Sequence, residues 1–108
     1  MKVIGVDPGY DRLGVAVMEK DGGKERLIFS TCILTDKKAA LPERIGEAGA
    51  QFRSIISEHR PDQVAIETLF FNKNQKTAVA VAEARGAIIF LAREYGAAVK
   101  EFGPAEVK

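Results

Sequence analysis

The run Val64-Ala65-Ile66-Glu67 lies between two long helical patterns, and this arrangement limits the fold more than any other stretch. A strand entered from one helix and left by another needs a crossover on each side. Such crossovers are right-handed and deliver parallel strands. The helix before it spans Leu41 to His59, with Leu41, Ile45, Ala48, Phe52, Ile55 and Ile56 at helical spacing. Pro42 suits its first turn, and Pro61-Asp62 stop it. Gln63 to Glu67 is then a strand, and residues 68–74 a loop. A second helix runs from Gln75 to Glu94, Gly96 is a good stop, and Ala97 to Phe102 is a further strand.

The amino-terminal third reads as a meander. Residues 2–7 form a buried strand, and Pro8 to Arg12 a turn in which Gly9 is expected at a backbone angle other residues avoid. Leu13 to Met18 is a second strand, and Asp21-Gly22-Gly23 signals a hairpin. Arg26 to Leu34 returns as a third strand of imperfect period, expected at the sheet edge. The expected fold is α/β: a mixed five-stranded sheet, three strands antiparallel and two parallel, flanked by helices.

At 108 residues this is one domain, 1–108. No apolar stretch reaches membrane-spanning length, and the early first strand leaves no room for a signal peptide. Cys32, the only cysteine, excludes an internal disulfide, which fits a cytoplasmic protein. A net charge of +1 argues against a strongly basic nucleic-acid wrapper but permits a local basic patch. Residues 103–108, from Gly103-Pro104 to Lys108, read as the first turn of another helix, so a longer protein is expected.

Asp7 and Glu67 each close an apolar strand and are followed by loop chemistry. Ligands of open α/β sheets bind beyond the carboxyl ends of such strands. Asp-Pro-Gly is also ordinary turn chemistry, but Glu is a poor strand residue. If both carboxylates face one spot, they repel and one pKa rises. A hard divalent cation removes that penalty. Metal-assisted phosphodiester hydrolysis commonly uses two ions about 3.5–4 Å apart, which calls for a third carboxylate. Asp11 and Glu101 are weak candidates.

Four segments, in order along the chain, carry a resemblance: Gly5-Val6-Asp7-Pro8-Gly9 with Gly14; Ala65 to Asn74, containing Ile66-Glu67, Phe70 and Lys73-Asn74; Ala84-Arg85-Gly86; and Pro104-Ala105-Glu106-Val107-Lys108. Together they resemble RuvC-type Holliday junction resolvases. The resemblance implies a ribonuclease H-like fold and a homodimer. It also implies Mg²⁺-dependent cutting of two strands of a four-way DNA junction, with Mn²⁺ as a substitute, and a branch-migration helicase complex as partner. Asp7 and Glu67 match the first two of four acidic catalytic positions, and the other two lie on a later helix. The 108-residue polypeptide is therefore expected to cut weakly or not at all. Phe70 matches a position that stacks at the junction, and Lys108 a basic position beside the active site.

Lys73, Lys76 and Arg85 read by default as a solvated face, or as part of a rim that touches phosphates. The helix from Gln75 is apolar on nearly every side, and Ala78, Ala82 and Gly86 are small and four apart. A two-fold dimer contact is expected there, through Ala78, Ala82, Arg85, Gly86 and Ile89. Cover by a missing carboxyl-terminal helix is the alternative. His59 is expected to meet the first helix's dipole, and Cys32 to be a small strand residue. Rival readings are another ribonuclease H-like nuclease acting on RNA or single strands, a phosphate-cradling domain of the actin–hexokinase type, and a non-catalytic junction-binding fragment.

Overall fold

The computed structural model describes residues 1–9, 12–68 and 75–103. The chain forms β1 (Lys2–Pro8), β2 (Arg12–Asp21), β3 (Lys24–Leu34), α1 (Leu41–His59), β4 (Gln63–Glu67), α2 (Gln75–Glu94) and β5 (Ala98–Phe102). One sheet has the order β3-β2-β1-β4-β5. The β1–β2 and β2–β3 pairs are antiparallel, and the β1–β4 and β4–β5 pairs are parallel. This is the mixed sheet expected from the order of the patterns. No helix among the described residues is long and apolar enough to cross a membrane.

Alternation builds the core. Ile4 and Val6 of β1 face the same side as Val64 and Ile66 of β4, and all four are buried. Leu13, Val15 and Val17 of β2 continue that side. Against it pack Phe52 and Ile56 of α1 and Ile88, Leu91 and Ala92 of α2. The described helices thus share one face of the sheet. Gly5, Asp7, Ala65 and Glu67 lie on the other.

Local chemistry explains the joints. Gly22 and Gly23, at φ +58° and +83°, make a two-residue hairpin between Asp21 and Lys24. Both hairpin strands run longer than periodicity suggests, because such a turn lets pairing continue to its edge. The imperfect period of β3 has a definite cause. Val17 pairs with Phe29 and Met18 with Leu27, so Ile28 is an extra residue in a bulge. The expected φ at Gly9 is corrected: it is not in the left-handed region. Space requires glycine there instead, since a Cβ would meet the Arg12 carbonyl oxygen at 2.7 Å.

Asp62 sets the start of the parallel strands. Its carboxylate accepts the Lys2 N–H at 2.9 Å, and its own N–H donates to the Lys2 carbonyl at 2.8 Å. Its carbonyl accepts from the Ala98 N–H at 3.0 Å. One residue thereby aligns β1, β4 and β5. His59, closing α1, stacks on Phe29 with ring centroids 5.4 Å apart, which ties the helix to the β3 edge.

Phe52 is fully buried where α1 meets the sheet. Phe52→Ala is expected to lower the unfolding free energy by about 3–5 kcal/mol, read as a shifted urea midpoint at constant slope.

Candidate active site

The pairing of β1 with β4 decides which side chains meet. Val6 is level with Ile66 in the parallel register. The next residues on each strand, Asp7 and Glu67, are therefore neighbours on the face away from the helices. Asp7 is exposed and Glu67 half-buried. Across the other neighbour, Asp7 is level with Gly14. A Cβ on Gly14 would lie 3.6 Å from the Asp7 Cβ, so any longer side chain would fill the space beside the carboxyl.

The Asp7 carboxyl stands beside that of Glu67, close enough to act on it. Burial first, then the neighbouring Asp7 carboxyl, push the Glu67 carboxyl above its ordinary value of 4.5. These oxygens are hard donors, and a divalent cation between them would relieve the repulsion. The donor set fits such an ion but does not complete its shell. No group of three or more His, Cys, Asp or Glu among the described residues is placed to hold a metal.

Of the two third-carboxylate candidates, the described one does not fill that gap. Asp11 lies outside the described residues. Glu101 is level with Ile66 and so projects on the helix side of the sheet, where it pairs with Arg85. An apolar cleft between α1 and α2, lined by Leu13, Ile33, Ala80, Ala84 and Ile88, is also on that side, away from the carboxyl pair.

The family model for crossover junction endodeoxyribonuclease RuvC matches residues 3–108. The chain belongs to the RuvC family. RuvC of Thermosipho melanesiensis is 44% identical over all 108 residues, which span 69% of its length. RuvC of Petrotoga mobilis is 39% identical, with 66% of its length spanned. The chain thus spans about two thirds of these curated relatives. Thermus thermophilus RuvC, solved in complex with Holliday junction substrate, superposes with a TM-score of 0.92 at 34% identity. That match covers 100% of this chain and 69% of that one. The fold is accordingly ribonuclease H-like. A fowlpox virus resolvase solved with Holliday junction DNA shares the fold, with a TM-score of 0.68 at 15% identity. The RNA-directed, single-strand and actin–hexokinase readings are not favoured.

The other expected site residues distribute unevenly. Phe70, Lys73 and Lys108 lie outside the described residues, and Lys76 is the second residue of α2. Ala78, Ala82 and Ile89 are half-buried, and Gly86 is exposed with open space at its Cβ position. Arg85, expected in the contact stripe or the phosphate rim, is bonded within the chain. Its Nε donates to the Glu67 carbonyl at 3.1 Å, and its Nη2 donates to the Glu101 carboxylate. Val79 and Phe90, two of the apolar residues of this helix but not named in the expected contact, are 54% and 63% exposed on α2. With Gly86 they form a stripe at spacings of seven and four. The signal was available, but small residues drew attention from large ones.

The raised Glu67 carboxyl sets a pH dependence. The folded chain binds this proton more tightly than the unfolded chain does, so the contribution is fully present below the unfolded value of 4.5. It is lost as pH rises through the folded value. In metal-free buffer, Glu67→Gln should match the wild type in melting temperature below pH 4.5 and exceed it increasingly above. Thermal melts across the acidic range, run in EDTA, check this.

Proposed function

We propose that this chain carries the first half of the metal site of a Holliday junction resolving endonuclease, with Asp7 and Glu67 as metal ligands. The observation that carries the reading is the meeting of these carboxyls at the ends of two parallel strands, on the face away from the helices. Mg²⁺ is the natural occupant, with Mn²⁺ able to replace it. A bound ion would supply positive charge to the attacked phosphate and lower the pKa of a nearby water. The chain's part is to hold two hard oxygen donors at one point and to keep the ground beside Asp7 clear through Gly14. Among the described residues no helix covers this face and Asp7 on it is exposed, so a phosphate group of DNA can approach the pair directly.

The remaining roles follow the family pattern residue by residue. Phe70 stacks on a base at the branch point, a contact worth about 1–3 kcal/mol for any base. Lys73 and Lys76 touch phosphates beside it, which positions the DNA without reading sequence. Lys108 neutralises charge on the reacting phosphate. The partners are a four-way DNA junction, a second copy of the chain and a branch-migration helicase complex, all in the cytoplasm. Residues 1–108 form one nuclease domain, and the family's two later acidic positions complete the site, so these residues alone cut weakly or not at all.

Cleavage of a synthetic four-way junction tests the carboxylates. In the full-length protein, Asp7→Asn and Glu67→Gln should each lower the Mg²⁺-dependent rate by more than about a hundredfold, beyond the usual cost of losing only an outer partner of a metal ligand. Retention of rate by either variant rejects the site.

The two-copy assembly is proposed to use the outer stripe of α2, where Val79, Gly86 and Phe90 are exposed. Gly46, exposed on α1, also has open space at its Cβ position. Gly46→Ala should therefore stabilise the protein by about 1 kcal/mol, the helix propensity gain, without changing its sedimentation. Gly86→Ala should weaken the dimer, seen as a larger monomer fraction in sedimentation equilibrium.

A further inference from the structure

We propose that Arg85 is a positioning residue for Glu67, fixing the direction in which the metal-binding carboxylate leaves β4. This rests on the reading of Glu67 as a metal ligand and goes beyond it, because it says what aims that ligand.

The peptide plane immediately after Glu67 is gripped at both ends. Its carbonyl oxygen accepts from Arg85 Nε at 3.1 Å. Its N–H, belonging to Thr68, donates to the Phe102 carbonyl at 2.7 Å. A peptide unit is planar, so two bonds on opposite edges fix its orientation. That orientation sets the last backbone rotation of Glu67, and with it the direction of the Cα–Cβ bond. Without the grip, the strand's final residue would be held only by the ladder behind it.

Arg85 is itself fixed. Its side chain is 16% exposed, and Nη2 bonds to the carboxylate of Glu101 on β5. A guanidinium donates in two directions from one rigid plane, which an ammonium on a flexible stem does not. The Glu101 carboxylate has a second effect. It offsets the guanidinium charge, so Arg85 can stand behind a cation site without repelling the cation strongly. This accounts for an arginine and a glutamate on the helix side of the sheet, neither of which reaches the carboxyl pair.

Mn²⁺ binding to the full-length protein, measured by electron paramagnetic resonance, separates positioning from simple charge. Removing a nearby cation by charge alone would tighten Mn²⁺ binding. Loss of positioning weakens it, by about tenfold or more as for other partners of metal ligands. The expectation is that Arg85→Gln and Arg85→Lys both weaken binding, the lysine failing to rescue because it lacks the fork. Glu101→Gln, which frees only the far end of the arginine, should weaken binding less and guards against an Arg85 variant that fails to fold. In cleavage, kcat should fall with the junction KM unchanged. Wild-type Mn²⁺ affinity in Arg85→Lys, or tighter binding in Arg85→Gln, overturns the proposal. Unchanged binding in Glu67→Gln would instead overturn the metal-ligand reading beneath it.

Discussion

The seam between β1 and β4 organises everything else in this molecule. Four apolar residues, Ile4, Val6, Val64 and Ile66, lie level in pairs across it and are almost wholly buried. Their burial against α1 and α2 sets which face of each strand is dry. Because side chains alternate, it also sets which face receives Asp7 and Glu67. A slip of one residue would send one carboxyl into the core. Asp62, bonded to both Lys2 and Ala98, blocks that slip at the opposite end of the strands.

On the proposed reading, the two carboxyls set stability against function. Burial, and then the neighbouring Asp7 carboxyl, cost Glu67 part of its acidity. A fold selected only for stability would place an apolar or cationic residue at one of these positions. The apolar pairs behind them absorb the cost, as a strained site is usually carried by the structure around it. Small residues reinforce the arrangement: Gly14 leaves space beside Asp7, and Gly9 lets the chain turn back against the Arg12 carbonyl.

Much of the fold was legible in the sequence because its signals were local. Helical spacing marked Leu41–His59, glycines marked the hairpin, and the order of patterns dictated the parallel pairs. The carboxyl pair was legible for the same reason, since each residue closes an apolar run. What escaped depends on register. The bulge at Ile28 shows only when β2 and β3 are laid side by side. The side on which Glu101 projects follows from its level with Ile66, which no local pattern states. Arg85, a charged residue in an alanine-rich helix, reads as solvated until the strand ends beside it are in place. The need for glycine at position 9 was recognised for the wrong cause, because a clash with a carbonyl three residues on leaves no trace in composition.

The outer border of the sheet has one more consequence. Among the described residues β3 has a neighbour on one side only, and Leu27, Ile28 and Phe29 are exposed along it. Unpaired strand borders of this kind invite another chain to zip on and seed fibrous deposits. The extra residue at position 28 spoils the even spacing of amides such a zipper requires. Lys24, Glu25 and Arg26, next to the hairpin tip, place charge where an incoming strand would start. The irregularity that blurs the period of this strand is thus also its protection against sticking to itself.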